Sequence, residues 1–184
     1  MRFQIDENIE LRTLTEADTE AVFASVSENF EHLRAFMHWM VDDYSLKHAQ
    51  DFIAESIESS AEKKSCGFGI FRNGRLIGSI GFVNFEWKAR RTELGYWVAN
   101  SEEGKGIITK ASRILIDHAI NEWKMNRIEI RCSALNARSA AVPERLGFTK
   151  EGVLRQCEFR NGRLHDFNIY GLLAKEWKHS GRGT

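Results

Sequence analysis

Residues 92–133 constrain the fold more than any other stretch of this chain. They open on Thr92-Glu93-Leu94-Gly95-Tyr96-Trp97-Val98, a strand-like run, and they close on a second strand over 127–133. Between the two lies the clearest helix of the sequence, over 107–123. Ile107, Ala111, Ile114, Leu115, His118 and Ala119 line one face of it, and Lys110, Arg113, Asp117, Asn121 and Lys124 line the other. Strands joined through a helix cannot form a hairpin, so the crossover makes them a parallel pair.

The remaining elements surround that unit. Alternation over 9–14 predicts a strand, and Thr15 followed by acidic residues predicts a helix reaching about residue 30. A short apolar stretch follows at 33–40. Ser45 then caps a helix carrying Leu46, Ala49, Ile53, Ile57 and Ala61 at helical spacing. Strands over 67–71 and 76–85 flank Asn73-Gly74, a two-residue hairpin signal because both residues tolerate positive φ. A short helix over 139–146 ends at Gly147, and two long closing strands meet at Asn161-Gly162. The expected architecture is α/β: a mixed, mostly antiparallel sheet of about seven strands with a central parallel pair and helices on both faces. One domain is expected over residues 1–178, with a polar tail over 179–184.

Composition narrows the function classes. The chain has 184 residues, 42% hydrophobic and 28% charged, which suits a globular protein with a sizeable core. Lys plus Arg and Asp plus Glu both number 26, so no bulk charge draws the protein to nucleic acid or to an anionic membrane. Apolar runs are only a few residues long and the N-terminus has no signal-peptide core, so a cytoplasmic location is expected. Cys66, Cys132 and Cys157 form no C-x-x-C pair, and the histidines have no metal-ligand spacing; no metal is expected.

The break between the central strand and helix reads Ala99-Asn100-Ser101-Glu102-Glu103-Gly104-Lys105-Gly106-Ile107. Its glycines permit a sharp turn and close approach to a ligand, and the first helical N–H groups have no internal partner. A phosphate or pyrophosphate is their natural guest. Two nucleotide motifs fail here. A Walker loop would need Gly where Ala99 stands and Ser or Thr after Gly104-Lys105; a dinucleotide loop would need a small residue at Thr109.

Taken together, Glu93 to Val98, Gly104 to Ala111, Asn136-x-x-Ser139, Glu144-Arg145-Leu146-Gly147-Phe148 and Glu151-Gly152-Val153-Leu154-Arg155 resemble the GCN5-related N-acetyltransferases (GNAT). Within that superfamily the chain is most similar to the RimJ/RimL type, which acetylates ribosomal-protein N-termini. The resemblance covers nearly the whole chain and implies the GNAT fold, acetyl-coenzyme A as cosubstrate, and transfer of acetyl to a primary amine. It implies that Gly104, Lys105, Gly106, Ile107 and Ile108 hold the pyrophosphate. The backbone of Trp97 and Val98 would hold the acetyl carbonyl, and Asn136 with Ser139 would line the pantetheine arm. One departure is Ser101, where the superfamily usually carries Gln or Arg; Lys105 is the candidate to supply that charge.

The same resemblance assigns the chemistry. Many members carry a tyrosine acid four residues before the Gly-Phe pair, and Pro143 occupies that place here. Ser139 is then the candidate acid, or a helix cap. The base has two candidates: Glu158, matching the RimL-type position and preferred here, and Glu93, matching the histone-acetylating branch and otherwise an ion-pair partner of Arg90 or Arg91. A carboxylate in a partly apolar cleft suits either role. Cys132 near the gap that the resemblance implies between the strand ending at Val98 and the strand over 127–133 raises an acetyl-cysteine route, but strand cysteines are usually small core residues, so direct attack in a ternary complex is preferred.

The acceptor is less constrained. Phe36-Met37-His38-Trp39-Met40, followed by Asp42, Asp43 and Tyr44, would place Trp39 and Tyr44 in an acceptor cleft or, equally, in a helix-packing seam. The candidate partners are a protein N-terminus, a ribosomal protein foremost, or a small amine such as a polyamine, an aminoglycoside or an aminoacyl nucleotide. A non-catalytic coenzyme-binding module is a third reading. A homodimer or higher homo-oligomer is implied, with the hairpin over 82–87 as a candidate contact.

Overall fold

A computed structural model of the chain describes residues 1–177; the tail expected at 179–184 lies outside them. Eight strands form one sheet: β1 (Arg2–Gln4), β2 (Ile9–Arg12), β3 (Cys66–Arg72), β4 (Arg75–Glu86), β5 (Arg91–Val98), β6 (Arg127–Ser133), β7 (Thr149–Arg160) and β8 (Arg163–Leu173). Their order is β1-β2-β3-β4-β5-β6-β8-β7. Among the described residues only β5 and β6 run parallel, as the strand–helix–strand unit requires. The eighth strand is β1, whose three residues pair with β2 and are too short to carry a period.

The helices are α1 (Thr19–Glu28), α2 (Phe30–Arg34), α3 (Leu46–Ala61), α4 (Ile107–Asn121) and α5 (Ala137–Arg145). Alternation along the strands builds two cores. One unites Ile70, Ile77, Ile80 and Leu94 with Ala111, Leu115 and Ile116 of α4 and Val142 of α5. The other unites Phe71 and Leu76 with Val22 and Val26 of α1, Leu33 of α2, and Ala49 and Ile53 of α3. Helices therefore cover both faces. Each fully buried Leu or Ile contributes about 1.5–3 kcal/mol.

Local signals act where the sequence puts them. Both hairpin turns place their two central residues at positive φ, Asn73 at 49° with Gly74 at 81°, and Asn161 at 49° with Gly162 at 74°. Thr15 caps a short 3-10 turn (Glu16–Asp18) ahead of α1, and Ser45 caps α3. In the hairpin over 82–87, Phe82 is fully buried, while Val83 and Trp87 are exposed. No helix among the described residues is long and apolar enough to cross a membrane.

Candidate active site

The site grows from a split in the sheet. β5 and β6 pair only from Arg91–Arg127 to Glu93–Glu129, and beyond that point they part. β5 stays bonded to β4, where the Ala99 N–H donates to the Ile77 carbonyl at 2.8 Å. Gly78 lets that approach happen: a Cβ there would stand 2.4 Å from the Trp97 carbonyl oxygen. Main-chain groups alternate along a strand, so with Trp97 and Ala99 facing β4, those of Tyr96 and Val98 face the gap. These are the free groups an amide-rich pantetheine arm can bind as a further strand would.

The glycine loop ends the gap. Gly106 precedes α4 with φ 73° and Gly104 lies at φ 74°, conformations that favour glycine. No side chain caps α4, so its leading N–H groups stand open, and a Cβ on either glycine would meet nothing within 4 Å. That cradle fits a pyrophosphate. Ile107 and Ile108 are buried behind it. Lys105 is not isolated: its Nζ donates to Glu102 at 3.0 Å, and Glu102 also accepts from Arg72 at 2.9 Å. A cleft of about 420 Å³ beside the loop is lined by Arg72, Lys105 and Lys110 together with Asp6 and Glu7. Arg72 carries no sequence signal for this position, since it lies on β3.

Across the gap stands the start of α5. The side chain of Asn136 accepts from the Ser139 N–H at 3.0 Å, so Asn136 is the cap of this helix and Ser139 lies one turn in. The Ser139 hydroxyl is thereby left to reach the Tyr96 hydroxyl at 3.4 Å, and Tyr96 in turn donates to the Ser139 carbonyl at 3.0 Å. Burial pushes the Tyr96 hydroxyl far above its ordinary value, so it stays protonated. Pro143 sits inside α5 rather than in its first turn. Cys132 lies beside Ser139, and burial raises its thiol, holding it in the unreactive form.

The two carboxylates differ in their surroundings. Glu93 stands where the strands part, with Arg131 Nε at 3.4 Å; the ion pair expected with Arg90 or Arg91 is not formed, Arg91 binding Glu86 and Glu129 and acting on Glu93 only through its charge. Burial raises its carboxyl, opposed by Arg131 and by a hydrogen bond from Asn84. Arg131 also binds Glu129, which is kept ionised against its burial by Arg131 and Arg127. Glu158 lies on β7 beyond a bulge and faces the 35–44 loop: Arg160 Nη1 bonds its Oε2 at 2.8 Å, and His38 Nδ1 stands 3.6 Å from its Oε1. Trp39 is partly exposed in that loop. Tyr44 instead stacks between Phe23 and His48, and burial pushes its hydroxyl up to about 12. His38, not singled out by sequence, is the loop residue that meets Glu158.

This arrangement of split strands, open helix start and flanking hydroxyl and carboxylates has known counterparts. The profile for the acetyltransferase (GNAT) domain matches residues 8–149. The chain belongs to the GNAT family. YdaF of Bacillus subtilis, provisionally named a ribosomal N-acetyltransferase, is 34% identical over 95% of this chain and 96% of its own. The ribosomal-protein-serine acetyltransferase of Escherichia coli is 29% identical, over 92% of this chain and 95% of its own. The structure of RimL, the ribosomal L7/L12 α-N-protein acetyltransferase, in complex with coenzyme A, superposes with TM-score 0.91 at 26% identity, covering 96% of this chain and 99% of that one. This GNAT chain is an acetyl-coenzyme A-dependent N-acetyltransferase. Among its described residues there is no cluster of His, Cys, Asp or Glu able to hold a metal.

Proposed function

We propose that this acetyltransferase modifies the N-terminal α-amine of a protein, of the ribosomal serine or alanine type, by direct attack within a ternary complex. The reading is carried by Glu158, which faces the 35–44 loop with one oxygen bonded to Arg160 and the other toward His38. An amine entering between the loop and β7 meets that second oxygen, and Glu158 takes its proton. The amine nitrogen bonds to the acetyl carbon, the C–S bond breaks, the departing thiolate receives a proton from Ser139, and Ser139 regains a proton from solvent while Glu158 returns its own to solvent. The Val98 N–H, directed into the gap, stabilises the oxyanion; one such donor contributes about 3 kcal/mol. The pyrophosphate rests on Gly104, Gly106, Ile107 and Ile108, with Lys105 free to leave Glu102 for it. The named activities of the relatives support a protein acceptor. The enzyme acts as a cytoplasmic homo-oligomer in this reading, with the exposed Val83 and Trp87 available for contact.

Coenzyme A release with acetyl-coenzyme A and a panel of amines tests it. Peptides with free Ser, Ala or Met N-termini are expected to be turned over at least about tenfold better in kcat/KM than spermidine, an aminoglycoside or an aminoacyl-nucleotide analogue. Preference for one of the small amines overturns the protein-acceptor reading.

A further inference from the structure

We infer that Arg160 is the positioning residue of the active site: it anchors one oxygen of Glu158 and locks the acceptor loop against the strand that carries the base. This rests on Glu158 being the base. Glu158 and Arg160 are two residues apart on β7, so their side chains share a face, while Phe159 between them points away and is 70% exposed. That shared face meets the end of α2.

Arg160 is only 6% exposed. Its Nη1 donates both to Glu158 Oε2 and to the Phe36 carbonyl, each at 2.8 Å, so the two protons of a single nitrogen join base and loop. The group also lies over the Phe36 ring, 5.9 Å from its centroid. Next to it, Asn161 Nδ2 donates to the Arg34 carbonyl at 3.3 Å. The tip of the β7–β8 hairpin thus satisfies the Arg34 carbonyl at the C-terminal end of α2, where a helix leaves it without an internal partner, and the Phe36 carbonyl in the loop beyond it.

Stability alone is a poor reason for this residue. Burying a cation costs several kcal/mol, and an apolar side chain of similar volume often replaces a buried ion pair without loss. Here the pairing is also incomplete, because Arg160 Nε is buried with no hydrogen-bond partner among the described residues. What an apolar residue could not do is hold Glu158 Oε2 so that Oε1 is the oxygen presented toward His38 and the acceptor. A base misplaced by about 1 Å can cost two orders of magnitude in rate.

The test uses the intact enzyme, acetyl-coenzyme A and the best acceptor from the panel. Arg160→Leu is expected to lower kcat by about thirtyfold or more, with the KM for acetyl-coenzyme A changed by less than about twofold. In a Glu158→Gln background the same substitution costs less than about twofold further, because a residue acting through another has nothing left to act on. Asn161→Gly, which removes the contact to Arg34 and keeps the positive φ of the turn, is expected to stay within about twofold of the parent. Arg160→Lys keeps a cation and recovers part of the loss. It also carries the test if the leucine variant does not fold, since its smaller loss must likewise vanish in the Glu158→Gln background. An Arg160→Leu enzyme as fast as the parent, or losses that multiply in the double variant, overturn the role of Arg160. A parent that acetylates none of the amines, or a Glu158→Gln enzyme as fast as the parent, instead overturns the reading beneath it, and each is measured first.

Discussion

The Tyr96 hydroxyl donates to the main-chain carbonyl of Ser139, the residue four positions before Pro143. Pro143 has no N–H, so α5 cannot close its usual i→i+4 bond on that carbonyl. Tyr96 reaches across the split sheet and fills the position. A helix interruption and a catalytic candidate are therefore joined by one hydrogen bond. Tyr96→Phe is expected to destabilise the protein by about 1 kcal/mol, the cost of losing a half-buried hydrogen bond to that carbonyl. Adding Pro143→Ala restores an N–H to the helix, so the double variant is expected to lose less than Tyr96→Phe alone; urea denaturation measures both.

Removing the base separates the two carboxylates. Glu158→Gln is expected to lower kcat by about a hundredfold while the Kd for acetyl-coenzyme A stays unchanged. Glu93→Gln, which acts on a residue paired with Arg131, is expected to keep kcat within about threefold. Steady-state rates with calorimetric coenzyme binding check the pair, and the reverse order of effects moves the base to Glu93.

Gly106 is the glycine of the loop that leads directly into α4. Its φ of 73° strains any L side chain, although the space around it is open. Gly106→Ala is expected to cost about 1–2 kcal/mol of stability and, by turning the leading N–H groups of α4, to raise the KM for acetyl-coenzyme A by about tenfold. An unchanged KM would remove the loop from coenzyme binding.

The turn into α1 sets an acid limit on stability. Arg12 holds the Asp18 carboxyl down to about 2, helped by hydrogen bonds from Thr15 and opposed by burial. A depressed carboxyl stabilises the fold above its unfolded value, and that contribution disappears as pH falls through its folded value. The ion pair is thus expected to contribute about 2 kcal/mol at neutral pH, lost progressively as the pH falls from about 4 toward 2. Asp18→Asn should destabilise the protein at pH 7 and flatten its stability curve over that window, as urea melts at several pH values would report.

Much of the fold was legible along the chain because the signals involved are local. The helical face of α4 follows a 3.6-residue period, the hairpins turn on Asn-Gly pairs, and the strand–helix–strand order admits only a parallel pair. The glycine loop was readable for the same reason, whereas the cap of α5 fell on Asn136, three residues before the Ser139 that was expected to cap it. β1 escaped because three residues hold no period.

The sequence by itself determined the order of the elements it revealed, the parallel pairing of β5 with β6 and the residue types along them. The tertiary structure decided where those strands part and which groups meet there. Tyr96 lies 43 residues from the Ser139 carbonyl it completes, and Arg160 lies 124 from the Phe36 carbonyl it binds. Arg131 takes Glu93, where neighbours in sequence offered Arg90 and Arg91. Short-range periodicity reports which face a side chain shares, but a hydrogen bond between distant residues depends on how sheet twist and helix packing bring the elements together, and no local pattern encodes that.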